Sequence, residues 1–314
     1  MSVTQAQAIL LGLALGDALG APVEFMGLAE ISARYGSGGI QEPPNPALYT
    51  DDTQMTLALA EGLIEAGEAD PDALMSAVGK YFVRWLNSPD NGRSPGGACL
   101  AGVRRYERGE SWRRSGLPDS RGCGSAMRVA PIGYLYQHDP ERLRDVAQAT
   151  SLITHGHPTA LAASVAAAYL VKLALDGIAP DHYLHEVAVS VDGLSDELDL
   201  ALRRVGHVLA WGDEIMAMRH IGAGWVAEEA VSLALYCVMR YPDDYVAAVR
   251  RAANMDGDSD SVACIAGGVA AARLGMESIP ADWRDRCENR DGILDLGAHL
   301  AEKRLRIAEH RDGC

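Results

Sequence analysis

The sequence is poor in aromatic side chains, which make up 6% of its 314 residues and include only 2 Phe. It also lacks runs in which β-branched and polar residues alternate, the pattern typical of strands. Alanine, leucine and glycine must supply most of the packing, and these small side chains favour close contacts between helices. The sequence therefore predicts an all-α fold, a compact single-domain orthogonal helix bundle over residues 1–314.

Signals for export or membrane insertion are also missing. No Lys or Arg precedes Arg34, so the apolar run 8–19, which Asp17 interrupts, lacks the basic segment of a signal peptide. No uninterrupted apolar stretch reaches the ~20 residues that a membrane helix needs. The cysteines form no CxxC pair and no cluster with histidine typical of zinc, so we expect reduced thiols in a cytoplasmic protein. The six cysteines are Cys99, Cys123, Cys237, Cys264, Cys287 and Cys314.

Positive charge is scarce as well. The chain has 28 Lys and Arg against 43 Asp and Glu, a formal net charge of −15. This balance excludes a general surface for binding nucleic acid and predicts repulsion from anionic membranes. An anionic small ligand would need local attraction from bound cations, helix N-termini or single arginines.

Periodic apolar residues and the positions of Gly and Pro predict where helices begin and end. Gly/Pro-rich or polar loops are predicted at 36–46, 87–97 and 119–125. The predicted helices are 4–19, 51–66, 71–86, 150–176, 228–240, 260–274 and 297–310.

Two acidic segments stand where a loop enters a predicted helix: Thr50-Asp51-Asp52-Thr53 and Asp256-Gly257-Asp258-Ser259-Asp260-Ser261. Helix capping is one interpretation, because Thr and Asp are preferred N-caps. A cap needs only one oxygen, however, and adjacent like charges repel unless a cation joins them. Four of these carboxylates would carry about −4, which two divalent cations such as Mg²⁺ or Mn²⁺ would balance. The oxygen donors would be Asp51, Asp52, Asp258 and Asp260, with Thr50 and Ser261 adding hydroxyls.

Two other metal motifs fit poorly. An EF-hand loop beginning at Asp256 needs Gly at its sixth position and Glu at its twelfth, where this chain has Ser261 and Gly267. The DDxxD helix of isoprenoid synthases needs an acidic fifth residue, and Met55 stands there. Another Mg²⁺-dependent enzyme of diphosphate compounds remains an alternative.

Taken together and in order, five blocks resemble the ADP-ribosylglycohydrolase family, which includes the dinitrogenase-reductase-activating glycohydrolases. The blocks are Gly16-Asp17-Ala18-Leu19-Gly20 with Glu24 following, Thr50-Asp51-Asp52-Thr53, Gly122-Cys123-Gly124-Ser125-Ala126-Met127-Arg128, Thr154-His155-Gly156-His157-Pro158, and Gly257-Asp258-Ser259-Asp260-Ser261. The resemblance implies an all-α fold and a dinuclear Mg²⁺ or Mn²⁺ centre. By motif match its ligands are Thr50, Asp51, Asp52, Asp258, Asp260 and Ser261.

The resemblance also implies roles for other residues. Glu24 matches the family's mobile-loop glutamate, which would orient or deprotonate the attacking water. Asp90 resembles the aspartate of an Asp-x-Gly element of bacterial members, proposed to act on the ribose. ADP-ribose would be bound by Gly122, Cys123, Gly124, Ser125, Met127 and His155, although the family usually has Asn where this chain has Cys123. Without the resemblance these residues are equally typical of turns, loop carboxylates and a structural histidine.

The function that the resemblance implies is hydrolysis of the bond between the anomeric carbon of ADP-ribose and an acceptor. The partner would be an ADP-ribosylated protein or ADP-ribose itself. Similarity to the bacterial branch favours an arginine acceptor. Serine, nucleic-acid and free ADP-ribose conjugates remain alternatives, as does a non-catalytic module that binds ADP-ribose.

Overall fold

The computed structural model describes residues 3–312, with side chains through Glu309. Within that range the chain forms sixteen α-helices and no strand, which confirms the all-α prediction. Short 3₁₀ turns lie at Ala21–Val23, Cys123–Ser125, Pro180–His182 and Met276–Ser278. The helices are α1 (Val3–Gly20), α2 (Leu28–Tyr35), α3 (Asp51–Ala66), α4 (Pro71–Leu86), α5 (Gly97–Glu107), α6 (Ala130–Leu135), α7 (Pro140–Leu152), α8 (Pro158–Leu175), α9 (Tyr183–Ser190), α10 (Asp196–Val208), α11 (Glu214–Ile221), α12 (Ala227–Arg240), α13 (Tyr245–Ala253), α14 (Ser259–Leu274), α15 (Ala281–Arg286) and α16 (Arg290–Asp312).

Local caps explain where the predicted helices begin. The Thr50 hydroxyl accepts a hydrogen bond from the Asp52 N–H at the start of α3. Asp70 caps α4 by accepting from the N–H groups of Asp72 and Ala73. Both helices have the bounds that the sequence predicts.

The single helix predicted over 150–176 is wrong. The chain leaves α7 at Leu152 and enters α8 at Pro158, with a turn between the two helices. Proline has no N–H to donate and disfavours helical backbone in the residue before it, so it begins a helix better than it continues one. His157 caps the new helix by accepting from the Thr159 N–H. This break is what takes His155 out of a helix.

Helices α1 and α14 pack against each other in opposite directions at the centre of the core. Their backbones approach so closely that a Cβ atom at Gly16 would lie 2.1 Å from the Ala263 carbonyl oxygen. Gly12 meets Ala271 at one end of this contact and Gly20 meets Asp260 at the other. Glycines spaced four residues apart on one face of α1 permit this approach. As a result, the C-terminal end of α1 lies beside the N-terminal end of α14.

Two segments, Val3–Val23 and Pro158–Leu175, are long and apolar enough to cross a membrane by length and composition alone. Within them, 83% and 72% of the apolar stretch is buried. These segments therefore serve as core helices of the described fold. The described cysteines are free thiols, and Cys314 lies outside the described residues.

Candidate active site

The antiparallel contact of α1 with α14 brings together acidic residues that are far apart in the sequence. Glu24 follows the end of α1, while Asp258 and Asp260 lie at the start of α14. Each offers a carboxylate oxygen, and these atoms lie within 4.8 Å of one another. Asp258 and Asp260 are almost fully buried, at 3% and 2% exposed. The arrangement is compact enough for all three to contact one ion.

Asp17 fixes the beginning of α3 against this cluster. Its carboxylate accepts hydrogen bonds from the backbone N–H groups of Thr50 and Thr53, both at 3.0 Å. It also accepts from the two hydroxyls, at 2.9 and 2.6 Å. These contacts place Asp51 and Asp52 next to Asp260. Sequence analysis did not assign Asp17 to the site, although a carboxylate inside an otherwise apolar helix was a signal.

The charges of this cluster are poorly compensated by protein groups. Burial, together with repulsion from Asp260, raises the pKa of Glu24 to about 8 and that of Asp17 to about 7. Burial also raises the pKa of Asp51, Asp52 and Asp258 well above the usual range for carboxyls, and repulsion between neighbouring aspartates adds to it.

One oxygen of the cluster has no partner. Oδ1 of Asp52 is buried and receives no hydrogen bond from any residue that the structure describes. An unpaired oxygen among crowded, buried carboxylates is costly unless a cation is present. All the donors are hard oxygens, which Mg²⁺ and Mn²⁺ prefer. The residues therefore fit a divalent-metal site.

A glycine-rich turn, Gly122 to Ser125, forms a second wall that adjoins the acidic residues. Buried Arg128 holds it by donating to the carbonyl oxygen of Gly124 at 2.8 Å. The same guanidinium donates to the Thr150 carbonyl oxygen at 2.9 Å and to Oγ1 of Thr154 at 2.8 Å. Arg128 thus ties the turn to the break between α7 and α8. Sequence analysis included Arg128 in a motif but gave it no role.

His155 lies beneath this turn and is only 1% exposed. Its Nδ1 is 2.8 Å from Oγ1 of Thr154. Burial and the nearby charge of Arg128 lower the pKa of His155 to about 3. The imidazole is therefore neutral at physiological pH and can exchange hydrogen bonds without carrying charge.

The two walls enclose a cavity of about 410 Å³. Most of the predicted site residues line it: Glu24, Asp51, Asp52, Gly122, Cys123, Gly124, Met127, His155, Asp258, Asp260 and Ser261. Thr50 and Ser125 do not line it. Thr50 is buried against Asp17, and the Ser125 hydroxyl donates to the Ala160 carbonyl oxygen.

Asp90 lies in a neighbouring, larger cleft of about 770 Å³, beside the ion pair of Arg93 and Glu288.

The sequence model of the ADP-ribosylglycohydrolase family matches residues 3–310. The chain belongs to the ADP-ribosylglycohydrolase family. This agrees with the resemblance carried by the five sequence blocks.

Relatives within the family extend over nearly the whole chain. The ADP-ribosylarginine hydrolase Tri1 of Serratia proteamaculans is 27% identical, over 95% of this chain and 79% of the relative. The ADP-ribosyl-dinitrogen reductase glycohydrolase of Rhodospirillum rubrum is 28% identical, over 88% of each chain. A solved ADP-ribosylglycohydrolase-related protein complex superimposes with a TM-score of 0.75 at 28% identity, covering 96% of this chain and 98% of the other. The family and these names support an ADP-ribosyl hydrolase activity.

Cys123, where the resemblance implies an asparagine, contacts the acidic residues directly. Its thiol donates a hydrogen bond to Oδ2 of Asp258 at 2.8 Å, and the Ser261 hydroxyl lies 3.5 Å from the sulfur. Burial raises the pKa of the thiol, and the negative charges of Asp258 and Asp52 raise it further. Cys123 therefore stays protonated and acts as a weak donor, where an asparagine amide would also donate.

Two exposed aromatic rings stand at the mouth of the cavity. Phe25 is 71% exposed and stacks on Trp225, with ring centroids 5.3 Å apart and planes inclined by 18°. Phe25 directly follows Glu24 and has a positive φ of 63°. A positive φ is costly for a bulky side chain, so surrounding contacts must hold this segment in place.

Proposed function

We propose that this chain hydrolyses the N-glycosidic bond between ADP-ribose and an arginine side chain of a modified protein. Two divalent cations, Mg²⁺ or Mn²⁺, would serve as cofactors. The proposal rests on one observation: crowded carboxylates and a glycine-rich turn line the same cavity. The name of the Serratia proteamaculans relative, an ADP-ribosylarginine hydrolase, supports arginine as the acceptor.

The acidic wall would hold the cations. When bound, they would supply positive charge that offsets the buried carboxylates and attracts the ribose hydroxyl oxygens. The chain's own part is to supply these ligands from helices that are already fixed, since Asp17 holds α3 and the close contact with α1 holds α14. The proposed ligands are Asp51, Asp52, Asp258, Asp260 and Ser261, which line the cavity, and Thr50, whose hydroxyl donates to Asp17 behind them.

Glu24 would accept a proton from the attacking water. Cleavage of a glycosidic bond passes through an oxocarbenium-like state and needs a base for the attacking water. Burial in the cavity raises the pKa of Glu24 and so strengthens its carboxylate as a proton acceptor. Its carboxylate lies inside the cavity, whereas Asp90 lines the adjacent cleft. We therefore rank Glu24 ahead of Asp90, and expect Glu24→Gln to slow turnover more than Asp90→Asn.

The glycine wall would hold the ADP part of the substrate. Backbone N–H groups in a glycine turn can approach a diphosphate closely, because no side chains stand in the way. The proposed contacts are Gly122, Cys123, Gly124, Ser125 and Met127, with neutral His155 beneath them.

The free thiols of the described cysteines support a reducing, cytoplasmic compartment.

The decisive experiment measures release of ADP-ribose from arginine-ADP-ribosylated protein with Mg²⁺, with Mn²⁺ and with EDTA. We expect release that needs metal and falls about 10²- to 10⁴-fold in Glu24→Gln. Glu277→Gln is a matched control, because Glu277 is 91% exposed and far from the cavity. Undiminished release in EDTA would overturn the metal-dependent proposal.

Other outcomes would change the assignment. Release from serine-linked or nucleic-acid-linked ADP-ribose, with none from arginine, would replace the acceptor. Tight binding of ADP-ribose without release from any conjugate would favour a binding module. Retained binding with lost turnover in Glu24→Gln would favour the enzyme.

A further inference from the structure

Asp256 joins two segments that must act together at the site. It lies two residues before Asp258, in the loop that leads into α14. Its Oδ1 accepts a hydrogen bond from the Leu28 N–H at 2.7 Å, and its Oδ2 accepts from Nε of Arg219 at 2.7 Å. Leu28 begins α2, immediately after the segment that carries Glu24. One side chain therefore bonds to the backbone of the residue that follows the Glu24 segment and to α11.

The backbone hydrogen bonds of the Glu24 segment, residues 24–27, are made to its neighbours in the sequence: Met26 N–H donates to the Val23 carbonyl oxygen and Gly27 N–H to the Glu30 carboxylate. The N-terminal end of the segment continues from α1 through the hydrogen bond of the Glu24 N–H to the Gly20 carbonyl oxygen. Phe25, in its middle, is mostly exposed and has a positive φ. Because these backbone hydrogen bonds are local, the far end of the segment is anchored by a contact with another part of the fold. The Asp256–Leu28 hydrogen bond is such an anchor.

The loop that carries Asp256 is itself firmly held. The Asp258 N–H donates to the Ala223 carbonyl oxygen at 2.9 Å. Gly257 has a φ of 121°, and a Cβ there would lie 2.1 Å from that same oxygen. Glu229 in turn accepts from the N–H groups of Ala223 and Gly224, at 2.9 and 3.2 Å. Asp256 therefore connects the Glu24 segment to a well-braced part of the fold.

We propose that Asp256 is a positioning residue, which fixes the Glu24 segment so that the Glu24 carboxylate stays within reach of Asp258 and Asp260. The proposal rests on the proposed function only in giving Glu24 the proton-transfer role. Misplacing a catalytic group by about 1 Å can cost about 10²-fold in rate. Loss of the anchor should therefore lower kcat and change KM little.

The test compares Asp256→Ala, Asp256→Asn and Asp244→Ala in the full-length protein. Asparagine keeps an oxygen that can accept from the Leu28 N–H, whereas alanine does not. Asp244 is a matched control, because it caps α13 by accepting from the Ala247 N–H at 2.9 Å on an exposed surface. Three quantities are measured: kcat and KM, the rate of chymotrypsin cleavage after Phe25, and Mn²⁺ affinity by calorimetry.

For Asp256→Ala we expect kcat to fall about 10- to 100-fold, with KM and Mn²⁺ affinity each changed less than about 3-fold. Cleavage after Phe25 should accelerate selectively, and Asp256→Asn should restore most of kcat and of the protection. Unchanged kcat and unchanged cleavage at Phe25 would overturn the proposal. So would loss of Mn²⁺ binding, or equal acceleration of cleavage across the chain, because either would assign Asp256 to the metal loop or to general stability.

The two proposals can fail separately. If the wild-type protein releases no ADP-ribose, the proposed function fails, while cleavage after Phe25 still decides whether Asp256 anchors the segment. If the wild-type protein is active and Asp256→Ala behaves like Asp244→Ala, only the positioning role fails.

Discussion

The two walls of the cavity differ in charge. The acidic wall crowds buried carboxylates together and leaves Oδ1 of Asp52 without a partner among the described residues. The glycine wall is neutral toward the cavity and is braced from behind by Arg128, which donates to three oxygens. The acidic wall needs a cation to balance its charge, whereas the glycine wall is held mainly by hydrogen bonds within the protein.

This difference predicts opposite responses to mutation. Removing a charge from the acidic wall should harm function and relieve repulsion in the metal-free protein. Removing Arg128, which holds the glycine wall by hydrogen bonds, should lower the free energy of unfolding whether or not metal is present. Four experiments, from the largest expected effect to the smallest, test this contrast.

Asp258→Asn should lower turnover about 10³-fold or more, because it removes a buried ligand from the centre of the acidic wall. In EDTA the variant should unfold at the same temperature as wild type or higher, since one repelling charge is gone. Wild type should gain about 2.7 kcal/mol when Mn²⁺ is at about 100 times its Kd, and the variant should gain much less. Thermal unfolding with and without Mn²⁺ measures this, and equal stabilisation of both proteins would contradict the metal assignment.

Arg128→Met should lower the free energy of unfolding by about 3–5 kcal/mol, because three buried oxygens lose their donor. The loss should be the same in EDTA and in Mn²⁺, in contrast to Asp258→Asn. Urea unfolding measures it. Arg113→Met is the control, since that side chain is 52% exposed and its loss should cost less than about 0.5 kcal/mol. A loss for Arg128→Met no larger than the control's would show that the glycine wall does not depend on it.

His155→Gln should flatten the pH dependence of stability. The pKa of His155 falls from 6.5 to about 3 on folding, so between these values the unfolded chain binds the additional proton. The contribution of His155 to the free energy of unfolding is therefore complete above about pH 6.5 and is lost as pH falls, by up to about 1.4 kcal/mol per pH unit.

Urea unfolding of wild type and His155→Gln between about pH 7 and about pH 5 isolates this contribution from that of the carboxylates. The slope of wild type should exceed that of the variant by about one proton. His182→Gln, at a position 63% exposed, is the control for replacing an exposed imidazole. Identical slopes for wild type and His155→Gln would mean that His155 titrates normally in the folded protein.

Cys123→Ser should have the smallest effect, a change in turnover below about 10-fold, because a hydroxyl can still donate to Asp258. The wild-type thiol should react slowly with iodoacetamide at neutral pH, since its raised pKa leaves little thiolate. Mass spectrometry of the labelled native and urea-unfolded protein gives the ratio of rates. Rapid labelling of native Cys123 would show that the acidic wall does not suppress its ionisation.

Local signals in the sequence predicted much of the acidic wall. The bounds of α3 and α4 were correct because Thr is a preferred cap at position 50 and Pro71 suits the first turn of a helix. The clustering of aspartates at two helix starts predicted a metal site without any knowledge of the fold. Most of the residues predicted for the site do line one cavity.

The remaining features depend on contacts between distant parts of the chain. Asp17 stood out as a carboxylate in an apolar helix, but its role depends on contacts with the start of α3, more than thirty residues away. Arg128 likewise acts on Thr150 and Thr154, and the break before Pro158 is hidden within an Ala/Leu-rich stretch that looks continuously helical. Side-chain hydrogen bonds between distant segments have no periodic signature, so pattern alone does not reveal them.

The pairing of α1 with α14 has a consequence for synthesis of the protein. Glu24 leaves the ribosome early, but its partners Asp258 and Asp260 follow more than 230 residues later. At about 5–20 residues per second, the nascent chain spends more than about ten seconds with an apolar α1 whose glycine face has no helix to cover it. The site is therefore completed among the last events of folding, and a prematurely terminated chain leaves behind an exposed hydrophobic helix and half a metal centre.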